Sequence, residues 1–143
     1  MKGANMIQRI LIGYDESGPS KRAFEHALEL ATRFGAELLL VTVVRIPESG
    51  LLAEVEGVID NAEEHFKEAI VEMQKRAQKV GVTMASEVVA GHPAEQIVHL
   101  AELRHADLVV LGSRGRSKVS HWMLGSVSER VMRYAHCPVT VIR

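Results

Sequence analysis

IQRILIGYDESGPSKRAFEHALELATRFGAELLLVTVV, residues 7–44, reads as a strand, a helix and a second strand in succession. Ile7–Gly13 carries the near-continuous apolar core Ile10-Leu11-Ile12. Asp15-Glu16-Ser17-Gly18-Pro19 is a loop running into a helix, since proline is favoured in a first helical turn. Ala23, Phe24, Ala27, Leu28, Ala31 and Phe34 repeat at helical spacing, and Gly35 follows as a C-terminal cap. Leu38–Val44 is apolar on both faces, as a strand in a parallel sheet covered on each side must be.

The same alternation continues outward. Residues 45–53 are irregular, and a long helix is predicted over Glu54–Val80, stopped by Gly81. Its apolar positions include Val55, Val58, Ile59, Ala62, Phe66, Ala69, Ile70, Met73 and Ala77, and its other face is dense with Glu and Lys. Thr83–Ala90 is a third strand, and Gly91-His92-Pro93 turns into a helix ending near His105. Asp107–Leu111 is a fourth strand, Ser126–Ala135 a last helix and Pro138–Ile142 a fifth strand. Parallel neighbours need crossover helices, so this order specifies an open α/β sandwich, one domain over residues 1–143. Ligands of such sheets sit beyond the carboxyl ends of the strands, where the winding reverses.

Composition narrows the function classes. A chain of 143 residues with 47% hydrophobic and 24% charged residues builds its own core. The net charge of −1 supplies no global field for nucleic acid or anionic lipid, and 4% aromatics leave few stacking platforms. Neither a nucleic acid nor a membrane is expected as partner. Cys137 alone makes no disulfide framework, and beside Pro138 it reads as a packing residue rather than a nucleophile. The N-terminus lacks a signal-peptide pattern, and no apolar run spans a bilayer, so a cytoplasmic location is expected. None of the seven histidines pairs at the i, i+4 spacing of a helical zinc site.

The chemistry concentrates in GSRGRSKVSHWMLGS, residues 112–126. Gly112 and Gly115 flank Ser113 and Arg114 directly after an apolar strand. After nine intervening residues beyond Gly115, Gly125-Ser126 opens a helix, with Ser126 expected as its cap and Glu129 reaching back as in a capping box. Arg114, Arg116 and Lys118 make the loop +3 without an acid between Ser113 and Leu124. A strand, a small-residue turn, a basic loop and a helix start suggest phosphate binding, against a plain surface loop with an ordinary cap. His121 and Trp122 lie in the same loop and are candidate contacts. P-loop and dinucleotide signatures are absent, and the third strand ends without the acceptor aspartate of a receiver domain.

The spacing G-x2-G-x9-G-S resembles the nucleotide-binding signature of the universal stress protein family. So do Ile10–Ser17, Leu39–Val44, Gly91-His92-Pro93 and Cys137–Ile142, so the resemblance covers essentially the whole chain. It implies an open five-stranded parallel sheet sandwiched by four helices, strand order 3-2-1-4-5, and ATP as ligand, with AMP or ADP as alternatives. It also implies Mg²⁺ or Mn²⁺ with the phosphates, through ligands left unassigned. Asp15 corresponds to the acid near ribose and adenine, Val43 to the residue whose backbone reads the adenine edge, and Leu111 to an apolar wall. Gly112 corresponds to the ribose position, and Gly115, Gly125, Ser126 and Val127 to the phosphate lining. Arg114 stands where many relatives have histidine. The implied assembly is a homodimer through Pro138–Ile142, and the implied role a stress-response module, with a slow ATPase or nucleotidyl-transfer enzyme as the alternative.

Overall fold

Each apolar run of the sequence becomes a strand in a computed structural model that describes residues 6–115 and 123–143. The elements are β1 (Arg9–Gly13), α1 (Gly18–Phe34), β2 (Glu37–Val44), α2 (Leu52–Lys79), β3 (Met84–Ala90), α3 (Pro93–Leu103), β4 (Leu108–Gly112), α4 (Ser126–Tyr134) and β5 (Val139–Ile142). The sheet is parallel throughout, in the order β3-β2-β1-β4-β5.

Strand pleating sorts the side chains into two cores. Ile10, Ile12, Leu38, Leu40, Leu108 and Val110 pack under α1 and α2, with Phe24 and Phe66 among the helical partners. Leu11, Val41, Val109 and Leu111 face α3 and α4 and meet Ile97, Leu100 and Val131. A sheet covered on both sides demands this doubly apolar pattern, which is why β2 reads as one unbroken run.

Helix ends follow local chemistry. Ser17 caps α1, its Oγ accepting the Ser20 amide at 3.2 Å, and Gly35 ends it at φ 68°. Phe34, expected in the apolar stripe, is 39% exposed. It occupies the last turn, next to the Gly35 cap that ends the helix. The second helix starts at Leu52 rather than Glu54, and Val55, Val58 and Ile59 are only half-buried. Full burial begins at Ala62 and continues through Phe66, Ile70, Met73 and Ala77. The Arg76 guanidinium grips both carboxylate oxygens of Glu25 and lies 5.3 Å from the Phe24 ring centre, clamping α2 to α1. Arg76 thereby holds the Glu25 carboxyl below its usual pKa.

Candidate functional site

Reversal of winding between β1 and β4 opens a crevice at their carboxyl ends. Two loops enter it. After β1, the Ser17 amide donates to Asp15 Oδ1 at 3.0 Å, an Asx turn that aligns Ser17 as the cap of α1. The buried Ser20 hydroxyl donates to the Ser17 carbonyl at 2.9 Å and receives the Asp15 amide at 3.4 Å. Glu16 pays for this tight turn with a φ of 69°, unusual for a residue with a side chain, and its carboxylate meets His65 Nε2 of α2 at 3.0 Å. Asp15 is therefore both a turn-forming residue and a wall of the crevice.

After β4, the chain leaves and returns to one point. The Gly125 amide donates to the Ser113 carbonyl at 2.6 Å, and the Ser113 amide to the Ile142 carbonyl at 2.6 Å. A Cβ on Gly125 would lie 3.0 Å from Arg114 Cα and 3.2 Å from the Ser113 oxygen. Gly125 itself has φ −65° and ψ 153°, ordinary extended backbone, so close approach and not strain explains the glycine. Gly115 answers to Asp15: a Cβ there would lie 2.7 Å from Asp15 Oδ2. At Gly112 a Cβ would meet Pro19 Cβ at 2.7 Å, Pro19 C at 2.8 Å and the Ser20 nitrogen at 2.9 Å. Gly112 is thus required by the packing of α1 on β4.

The capping box expected at Ser126 does not form. Gly125 is the N-cap, Ser126 is the first helical residue, and no side chain caps α4. Glu129 instead pairs with Arg133 at 3.0 Å, one helical turn on. Ser128 takes the role that Ser126 was expected to play in holding the helix start. Buried to 2% exposure, its hydroxyl donates to the Gly112 carbonyl at 2.6 Å and ties α4 to the end of β4. The first intrahelical bond is Glu129 N–H to Gly125, so the preceding amides of Ser126, Val127 and Ser128 point out of the helix start towards the crevice.

These loops enclose a cavity of about 490 Å³, in the range of small-ligand sites. Asp15, Val43, Leu111, Gly112, Arg114, Gly115, Gly125, Ser126 and Val127 all line it. Arg116, Lys118, His121 and Trp122 lie outside the described residues. Sequence reading missed several further lining residues, among them Tyr14, Thr42, Arg45 and Phe66. Thr42, an interruption in an apolar strand, was the visible signal: its hydroxyl donates to the Tyr14 carbonyl at 2.9 Å and squares the end of β1 against β2. Tyr14 stands edge-on to Phe66, ring centres 6.0 Å apart. Burial, with Glu16 and Asp15 nearby, pushes its phenol pKa up, so it remains a neutral donor. Among the described lining residues, Arg45 and Arg114 against Asp15 leave a net positive charge.

A second cavity, about 390 Å³, lies at the opposite, amino ends of the strands between Arg9, Leu39, Ala85 and Ala106. It is remote from every residue just described.

The universal stress protein sequence profile matches residues 6–143. The chain belongs to the universal stress protein family. A universal stress protein of Methanocaldococcus jannaschii is 39% identical over 99% of this chain and 85% of its own. Among solved structures, the universal stress protein UspA of Lactobacillus plantarum superposes with a TM-score of 0.85 at 27% identity, covering 96% of this chain and 98% of that one. A universal stress protein crystallised in complex with cAMP gives a TM-score of 0.75 at 27% identity, over 96% and 98% of the two chains.

Family membership leaves Cys137 in its structural role. The side chain packs against the α3–α4 core, and burial, with Asp107 nearby, raises its thiol pKa, the reverse of activation. No helix among the described residues is long and apolar enough to cross a membrane.

Proposed function

We propose that this universal stress protein binds an adenine nucleotide, with ATP as the working ligand, and acts as a nucleotide-dependent regulatory module. One observation carries the reading: nine residues selected from sequence alone line a single cavity at the switch point of the sheet. The roles follow from their chemistry. Leu111 and the Val43 backbone take the base, Asp15 the ribose hydroxyls, and Gly112 the space beside the sugar. Gly115, Gly125, Ser126 and Val127 leave backbone amides at the α4 start for the phosphates, with Arg114 adding charge. The cAMP complex of a relative supports an adenine nucleotide as the ligand class. No group of three His, Cys, Asp or Glu gathers among the described residues. Mg²⁺ carried by phosphates takes one or two protein carboxylates, and the one carboxylate among the described lining residues, Asp15, is assigned here to the ribose.

Turnover is expected to be slow. Among the described lining residues Asp15 is the one carboxylate, and its Oδ1 accepts the Ser17 amide in the turn that caps α1. Calorimetric titration with ATP, AMP and cAMP, followed by timed incubation with ATP and Mg²⁺, tests both halves. Saturable binding with turnover far below the enzyme median of about 10 s⁻¹ is the expected result. No binding of any of the three nucleotides overturns the reading. Turnover near the median that Asp15→Ala abolishes replaces it with an enzyme.

The homodimer through β5 is part of the same proposal. In the described chain β5 is an outer strand, its four residues are half-buried, and no strand pairs with its far side. Unpaired amides beside Val139 and Val141 invite a second strand, and two-fold pairing closes the interface. Val141→Pro removes a donor from the middle of that seam. Light scattering should find the parent dimeric and the variant monomeric or aggregated. A parent monomeric at high micromolar concentration rules the arrangement out.

A further inference from the structure

The second helix is too long for the sheet it covers. Its 28 residues extend about 42 Å, whereas the eight residues of β2 extend about 26 Å. The fully buried positions, Ala62 to Ala77, account for about 23 Å, close to the strand length. Residues 52–61 therefore project about 15 Å past the carboxyl ends of the strands.

The projecting part keeps the apolar stripe of the buried part. Leu52, Val55 and Ile59 continue the row Ala62, Phe66, Ile70, Met73 and Ala77 at the same helical phase. Leu52 is exposed and Val55 and Ile59 are half-buried, and none of the three belongs to the core beneath α1 and α2. Leu52 is 73% exposed, and Leu51 beside it 61%.

Charge decides what fits on it. Residues 46–66 contain Glu48, Glu54, Glu56, Asp60, Glu63 and Glu64 and no Lys or Arg, in a protein whose net charge is −1. Glu56 and Glu63 border the stripe on one side and Glu54 on the other. A second copy of the chain would set these carboxylates against their own images. A partner helix carrying an apolar row edged by Lys or Arg would meet them with opposite charge.

We infer that the projecting half of α2 is a docking surface for a basic amphipathic helix of another protein. Leu52, Val55 and Ile59 are the apolar anchors, and the flanking carboxylates select the partner and set its direction.

The test uses the full chain, isotopically labelled, and an 18-residue helical peptide of Leu and Lys with its leucines on one face. Two controls accompany it: a Leu/Glu peptide of the same pattern, and a Lys-rich peptide with the leucines scattered. The Leu/Lys amphipath should bind at micromolar concentration and shift the amide resonances of residues 52–62. Leu52→Ser with Ile59→Ser should weaken it at least tenfold. Both positions stand clear of the core, and a circular dichroism melt verifies the fold. Equal binding of the scattered peptide, or unchanged affinity in the double variant, reduces the contact to non-specific charge and overturns the proposal. Shifts confined to other elements, or no binding at 100 µM on the order of weak interfaces, overturn it as well. A parent dimer that dissociates in the double variant assigns the surface to self-association instead.

Discussion

Gly112→Ala is expected to lower stability by roughly 3 kcal/mol, the upper end of overpacking. The added methyl has nowhere to go. It would stand 2.7 Å from Pro19 Cβ, 2.8 Å from Pro19 C and 2.9 Å from the Ser20 nitrogen, so two of three obstacles are backbone. Rotating a side chain cannot relieve them. The N-terminal turn of α1 must move away from β4 instead, and that turn contains the Ser17 and Ser20 bonds that shape the Asp15 loop. The Gly112 carbonyl also receives the buried Ser128 hydroxyl, so a shift of β4 strains the start of α4 too. Differential scanning calorimetry should show the melting temperature falling by about 10 °C for a domain of this size. A variant melting within about 2 °C of the parent would show that the α1–β4 contact yields freely.

Gly125→Val should leave a folded protein with adenine-nucleotide affinity reduced ten- to a hundredfold, equivalent to about 1.4–2.8 kcal/mol. Valine tolerates the backbone angles of Gly125, so the effect is one of space. The first branch carbon already presses on Arg114 Cα at 3.0 Å and on the Ser113 oxygen at 3.2 Å, and valine adds two methyls. The loop must open at the place where the Gly125 amide closes on the Ser113 carbonyl. The amides at the start of α4 then lose their common aim at the crevice. Calorimetry on the folded variant decides: unchanged affinity for ATP places the phosphates elsewhere. Gly112→Ala and Gly125→Val thus separate two uses of glycine in one motif, packing of the scaffold and closure of the loop.

The fold was legible because its signals are local. Apolar runs of strand length, the helical spacing from Ala23 to Ala31 and glycine at position 35 each act within a few residues. Parallel pairing then leaves few orders for the strands. The site was legible in its membership for a related reason, since β1 and β4 deliver whatever follows them to one crevice. Chain order pointed to Asp15 and Gly112, and the family resemblance named the other lining residues.

What each residue does on arrival was decided by tertiary contacts. Ser126 and Ser128 are the same residue type two positions apart, and Ser126 is the one that the capping-box pattern singles out. Only the Gly112 carbonyl, sixteen residues back along the chain, determines that Ser128 turns inward and bonds while Ser126 becomes the first helical residue. The glycines at 112 and 125 look alike in sequence, yet one faces α1 and the other faces its own loop. The half-exposed overhang of α2 was invisible for the same reason: periodicity reports which face of a helix is apolar, not whether anything lies beneath it. By itself the sequence determined the elements, the order of their alternation and the end of the sheet at which the chemistry gathers. The division between buried and projecting stripe, and between packing glycine and loop glycine, depends on distances between residues far apart in the chain, and only the folded structure sets those.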